Sequence, residues 1–530
     1  MKTMEAMWMM GARTNGSAIH TVCHLWHHEG MLPALTLALS VSAALLPPAL
    51  DDGSVIELIM VDRFADGAPN ADEVMPGHLR RFQGGDLAGL SARLPWLLAL
   101  GVSHVWLTPL HRQVPHLVGH GDDATAAFHG YWPEDFTSVD PHFGTVVELT
   151  RLVNEALDAK LGVIVDLVVN HTGYGASDPR HLVRAVCGHG EQQGCLFGLP
   201  DLRTEDPRVR AAVVDDVGWW LQQAPFAGVR LDAFKHIDID TAVALTARIH
   251  STRPGAVVIA ERWGATMGDV DVGADIAAGA ADAAFDFGLM GLARDFVNGR
   301  LRGQALGHHL EQRCAAASRS APMLTFLDNH DTETWTHATG TARAPLGAPL
   351  LLLTPGIPVL TWGTELARLG GAKDPDNRSM MPWEAAADAE TDPSHPLHWW
   401  RRLVALRRTS PAARHGTLTV LGASPVGASS WVVFERKAEG ERLLTAIAVG
   451  SALRHCEPTR EGEAVVDTIA WPPHAAALAP GPNTICVSVP ADGAVVVRLR
   501  TSSAASAERS SKSSTFCSAA TNPGQPMVSP

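Results

Sequence analysis

Between Val55 and Thr409 the chain alternates short apolar runs with amphipathic stretches, a pattern that predicts repeated strand–helix units. Eight runs read as strands: Ile56–Met60, His104–Leu107, Val163–Val168, Gly228–Asp232, Val257–Glu261, Ala284–Phe287, Met323–Leu327 and Pro358–Thr361. Helices fill the intervals. From Val146 to Lys160, for example, Leu149, Leu152, Val153, Ala156 and Leu157 recur at helical spacing and form one apolar stripe. The expected fold is α/β, a (β/α)8 TIM barrel over residues 51–410, with a doubly wound sheet as the alternative.

The alternation breaks in three places. After the third strand a Gly-, His- and Cys-rich stretch runs from Thr172 to Arg203 before a helix begins near Pro207. A loop of that length is functional or a small subdomain, and residues 172–206 are assigned to an inserted domain. Beyond Pro411 the runs become short and β-branched (Leu418–Leu421, Ser430–Phe434, Leu443–Val449, Ala494–Leu499), predicting a C-terminal antiparallel β-domain over 411–500. Residues 501–530 are Ser/Ala-rich and expected to be disordered.

The N-terminal 50 residues stand apart. Met1 to Gly30 shows no period, and an apolar run follows from Met31 to Leu46. That run is too short and too rich in Ala and Ser for a membrane span, and Val41-Ser42-Ala43 suits a signal-peptidase site. Pro47-Pro48 and Asp51-Asp52 then end it. A signal peptide and a secreted or periplasmic protein are expected, with Met31 as an alternative start.

Composition narrows the partners. A chain of 530 residues, 46% hydrophobic and 18% charged, has core enough for two or three domains. A formal charge of −14 argues against nucleic acid and anionic membranes, while a neutral polymer is compatible with it. Cys187 and Cys195 enclose a short loop, and Cys456 and Cys486 form a second possible pair. Separate buried thiols are the alternative, and no cysteine spacing suggests zinc.

The ends of four strands carry the chemistry. The third finishes Asp166-Leu-Val-Val-Asn170-His171, the fourth Arg230-Leu-Asp232 with Lys235-His236 following, the fifth Glu261, and the seventh Asn329-His330-Asp331. Gathering like charges at one barrel mouth is unfavourable, so function has to supply the reason. Singly, each residue has a plainer explanation. Asp166 could be a partner for Arg230, His330 a buried histidine, Trp132 and Trp263 core. Asn170 could be a turn residue, Asp201 a cap ahead of Pro207, and Lys235 solvated surface.

Together these segments resemble the signature regions of glycoside hydrolase family 13, the α-amylase family. DLVVNH, GVRLDAFKH, AERWG and FLDNHD stand in the family's order, and LPDL, AFHGYW, GGDLAGL and GIPVLTWGTE are similar to its supporting segments. Ala260 stands where many members have Gly. The resemblance implies a retaining glycosidase, with Asp232 as nucleophile, Glu261 as general acid/base and Asp331 as the third acid. It implies sugar binding by His129, Tyr131, His171 and His330, with Tyr131 stacking on the ring and the two histidines 171 and 330 donating to hydroxyls. Arg230 would keep Asp232 ionised, and Lys235 and His236 would line the leaving-group side.

The resemblance also implies Ca²⁺ held by Asn170, Asp201 and the backbone carbonyl of His236, with a second ion possible at Asp66, Asn70, Gly84 and Asp86. The expected activity is hydrolysis of internal α-1,4 bonds in starch-like α-glucans by a monomer. An α-glucan transglycosylase of the same family is the nearest alternative, and a non-catalytic glucan-binding member a remote one.

Overall fold

The apolar runs close into a parallel barrel in the computed structural model, which describes residues 46–68, 74–178, 180–425, 429–473 and 477–501. The expected signal peptide up to residue 45, Asn70 and the tail beyond Thr501 lie outside the described residues. Numbered along the chain, the strands are β1 (Ile56–Ile59), β2 (His104–Leu107), β3 (His111–Gln113), β4 (Pro133–Val139), β5 (Gly162–Leu167), β6 (Gly228–Leu231), β7 (Val257–Ala260), β8 (Ala283–Asp286), β9 (Met323–Phe326) and β10 (Ile357–Thr361). The barrel order is β1-β10-β9-β8-β7-β6-β5-β2, while β3 and β4 pair as an antiparallel hairpin outside it. The doubly wound alternative is thereby excluded.

Barrel strands face side chains on one side and helices on the other, so their residues are buried on both faces and read as continuous apolar runs. Several strands stop one residue short of the expected end. Asp232 and Glu261 therefore lie just past β6 and β7, yet their amides still donate to the neighbouring strands, Asp232 to Leu167 O and Glu261 to Leu231 O, both at 3.1 Å.

Helices cover the barrel. The one at Val146–Asp158 begins with a capping box between Thr145 and Glu148, and buries Leu149, Leu152, Val153 and Ala156, the expected stripe. The helix Pro396–Thr409 carries Arg407, whose guanidinium donates to the carbonyls of Asp52, Leu352, Thr354 and Gly356. One buried cation thus ties together the segments leading into β1 and β10, where the ring of strands closes.

After β10 come β11 (Thr417–Ala423), β12 (Ser430–Ala438), β13 (Glu441–Val449), β14 (Leu453–Pro458), β15 (Glu463–Trp471), β16 (Ala477–Pro480), β17 (Thr484–Val489) and β18 (Gly493–Thr501). They form two antiparallel sheets, β11-β12-β13-β18-β15 and β14-β17-β16. The sequence pattern had not picked out β14 to β17. The Cys456–Cys486 disulfide joins β14 to β17.

The segment inserted after β5 contains isolated bridges, His171 with Asp201 and Val183 with Leu202, and a disulfide between Cys187 and Cys195. Among the described residues no helix is long and apolar enough to cross a membrane.

Candidate active site

Arg230 organises the barrel mouth. It stands in register with Asp166 on β5, so both side chains project into the barrel from adjacent strands. Its Nη1 lies 2.8 Å from Asp166 Oδ1 and 2.6 Å from Asp232 Oδ1, and its Nη2 lies 3.3 Å from Glu261 Oε2. One guanidinium at 1% exposure thus serves three carboxylates, one on β5 and the others just past the ends of β6 and β7. A buried cation needs such partners, and carboxylates gathered this closely need the cation.

The surplus of negative charge falls on Glu261. Burial, with Asp232 and Asp331 nearby, pushes its pKa up to about 8 against the opposing pull of Arg230 and an amide bond from Ala233. Glu261 is therefore a carboxyl that holds a proton at neutral pH. Ala233 adopts the left-handed conformation, a strained choice for a residue with a Cβ, and this turn directs its N–H to Glu261 Oε2 at 2.8 Å.

Asp166 is fully occupied. Besides Arg230, its Oδ2 accepts from Trp106 Nε1 at 3.1 Å and from the Tyr131 hydroxyl at 2.9 Å. Burial raises its pKa to about 6. It anchors Arg230, the plainer of its two explanations.

Asp331 has the opposite environment. Burial alone would raise its pKa, but His330, with Nε2 at 3.1 Å, and Arg378, bonded at 2.8 Å, hold it well below the usual carboxylate range. The mouth therefore contains one carboxyl held protonated and another held ionised.

The aromatic residues pack as a stack. The Tyr131 ring lies parallel to His330, with centroids 5.2 Å apart and 2° between planes. His129 accepts the Tyr131 amide on Nδ1 at 3.0 Å, so its proton sits on Nε2, and burial keeps the ring neutral. His171 corrects the sequence expectation. Its Nε2–H donates to the Tyr131 carbonyl at 3.0 Å and burial lowers its pKa, so its buried, unpartnered Nδ1 accepts rather than donates. Lys235 and His236 both meet Glu191 of the insertion, with Lys235 Nζ 3.1 Å from its carboxylate.

Glu191, Trp106 and Arg378 escaped the sequence reading. Trp106 sits in an apolar strand and looks like core. Arg378 and Glu191 come from loops without periodicity.

Asn170 and Asp201 lie side by side through the bridge of His171 with Asp201, and Leu202 N donates to Asn170 O at 2.9 Å. Asn170 Oδ1 and Asp201 Oδ1 are buried without partners, while Arg184 takes the other Asp201 oxygen at 2.6 Å. Two orphaned oxygens of this kind fit a hard cation. Among the described residues no group of three or more His, Cys, Asp or Glu gathers as a metal site. At the second expected site Asp86 caps a helix, accepting from Gly89 N at 2.6 Å and Ala68 N at 2.9 Å, and Asn70 is outside the described residues.

Residues 58–180 match the model of the α-amylase catalytic domain. The cyclomaltodextrin glucanotransferase of Klebsiella oxytoca is 28% identical over 477 residues, 75% of this chain and 70% of that protein. A Bacillus glucanotransferase is 26% identical, and there the match spans 72% of this chain and only 60% of the other. Among solved structures, an Anoxybacillus α-amylase superposes with a TM-score of 0.72 at 27% identity, covering 85% of this chain and 99% of that one. The α-amylase of Geobacillus thermoleovorans, solved in complex with acarbose, gives 0.70 at 26% identity with the same coverage.

Proposed function

Since the chain belongs to the α-amylase family, glycoside hydrolase family 13, we propose that it cleaves internal α-1,4-glucosidic bonds of starch-like glucans with retention of configuration. The observation that carries this reading is the shared guanidinium. Arg230 contacts both Asp232 and Glu261, so the two carboxyls flank one point at the barrel mouth. Retaining enzymes need their carboxyl pair close together, about 5–5.5 Å, one ionised and one protonated.

In the first step Asp232 attacks the anomeric carbon, the glycosidic C–O bond breaks, and Glu261 gives its proton to the departing oxygen. In the second, Glu261 takes a proton from water, the oxygen of that water bonds to the anomeric carbon, and the ester to Asp232 breaks. Asp331, kept ionised, accepts hydrogen bonds from sugar hydroxyls that strengthen as the ring flattens. Tyr131, backed by His330, offers the stacking face.

Asn170, Asp201 and the carbonyl of His236 would hold a Ca²⁺, whose charge would fasten the insertion to the end of β5. Export belongs to the same proposal, since two disulfides suit an oxidising compartment. Transglycosylation is the second reading, favoured by the glucanotransferases among the relatives. Product chromatography on soluble starch tests both: linear short oligosaccharides mean hydrolysis, cyclic or lengthened chains transfer. An Asp232→Asn protein that kept full activity would end either reading.

A further inference from the structure

We propose that Glu191 is a specificity-determining residue for the leaving-group end of the glucan, an inference that rests on the α-glucan reading above. It sits on the loop closed by Cys187–Cys195 and meets both residues expected on that side. Its carboxylate lies 3.1 Å from Lys235 Nζ, and its carbonyl accepts from His236 Nδ1 at 2.5 Å. Arg184 holds the loop's flank through Gln192 O at 3.3 Å, while bonding Asp201 and Glu205. One loop residue thus meets two neighbours, Lys235 through its side chain and His236 through its backbone.

Those contacts border a cavity of about 540 Å³, lined by His189, Glu191, Phe234, Lys235, Arg262 and Asp275 among others. Two of the lining residues are tied to the chain at Glu261. Arg262 follows Glu261 in the chain, and Phe234 N donates to the Glu261 carbonyl at 3.0 Å. Under the α-glucan reading, the sugar whose oxygen takes the proton from Glu261 would lie on this side. So would an incoming sugar, when one replaces water.

Each cation in the wall meets carboxylate. Lys235 faces Glu191, and Arg262 Nη1 lies 3.2 Å from Asp275. Arg262 Nη2 also lies 3.0 Å from Asp271. A polar wall whose cations are already met by carboxylates suits a neutral polyhydroxyl ligand better than an ion. The Glu191–Lys235 pair is not explained as a stabilising bridge, because the Glu191 side chain is 57% exposed and exposed pairs contribute little.

The test compares two substrates. α-Maltotriosyl fluoride expels fluoride and places no sugar in this cavity, whereas maltoheptaose does. Glu191→Ala should lower kcat/KM on maltoheptaose by about tenfold, as for one lost polar contact, and the loss should be at least about fivefold larger than on the fluoride. Glu191→Gln, which keeps an acceptor without the charge, should fall between. The spectrum of maltoheptaose products should shift in step, with the melting temperature as a check on folding. Equal losses on both substrates, or no loss on either, overturn the inference and leave the α-glucan reading standing. A wild-type protein inert toward both substrates overturns the two together.

Discussion

Ala233, with φ at 50°, turns its N–H onto Glu261 Oε2 across 2.8 Å. The bond fixes where the proposed acid points, and it also favours the ionised carboxylate. Burial and the neighbouring Asp232 and Asp331 outweigh that preference, which is how Glu261 reaches about 8.

The first expectation concerns pH. An acid has to be protonated to act, so kcat/KM on maltoheptaose should decline as pH rises through about 8, when Glu261 loses its proton. Glu261→Gln should remove this alkaline arm and lower kcat by about 10²–10⁴-fold. Wild-type rates that stay level from pH 7 to 10 would contradict the role of Glu261.

Arg378 bonds the carboxylate of Asp331 at 2.8 Å and helps keep it ionised. Losing a charge-assisted bond of this type costs roughly 1.5–3 kcal/mol, so Arg378→Ala should lower kcat/KM by about ten- to a hundredfold. Steady-state kinetics would show it, with Arg378→Lys recovering part of the loss.

A second group of acids lies under the barrel wall. Glu57 and Glu365 are buried at 1% and 0% exposure, each with one oxygen unpartnered, and they repel one another. Burial raises Glu365 to about 7 and Glu57 well above its ordinary value. The native state therefore holds these protons more tightly than the unfolded chain does. The contribution of these two groups to stability is greatest below the free glutamate range, about 4.3, and declines as pH climbs toward 7. Glu365→Gln keeps the acceptor for Trp96 Nε1 and should narrow the drop in melting temperature between pH 5 and pH 8. A drop of unchanged size would mean that Glu365 does not ionise in this range.

Calcium should stabilise the protein by linkage. At a hundred times the dissociation constant the gain is about 2.7 kcal/mol, read as a higher melting temperature that EDTA reverses. Asn170→Ala removes one of the two orphaned oxygens and should abolish the response. A melting temperature indifferent to Ca²⁺ and EDTA would leave Arg184 as the cation that neutralises Asp201.

Much of this architecture was legible in the chain. Barrel strands such as Val257–Ala260 are buried on nearly every residue, so they stand out as unbroken apolar runs. The acids were legible because charge at the end of such a run is conspicuous. Strands β14 and β15 were not. β14 reads Leu-Arg-His-Cys-Glu-Pro with mostly half-exposed or exposed side chains, and β15 leaves Val465 and Val466 open to solvent. An edge sheet wetted on one face carries too little apolar contrast to register. The contacts of Glu191 and Arg378 depend on loop paths, which local sequence does not encode.

The guanidinium of Arg407, set beneath the meeting of β1 and β10, has a consequence for biosynthesis. The two strands it unites are made at opposite ends of the barrel sequence, so during translation the growing sheet keeps an unsealed margin on β1 until β10 leaves the ribosome. Arg407 itself follows β10 in the chain, so the clamp on this seam can form only after the last barrel strand has been made.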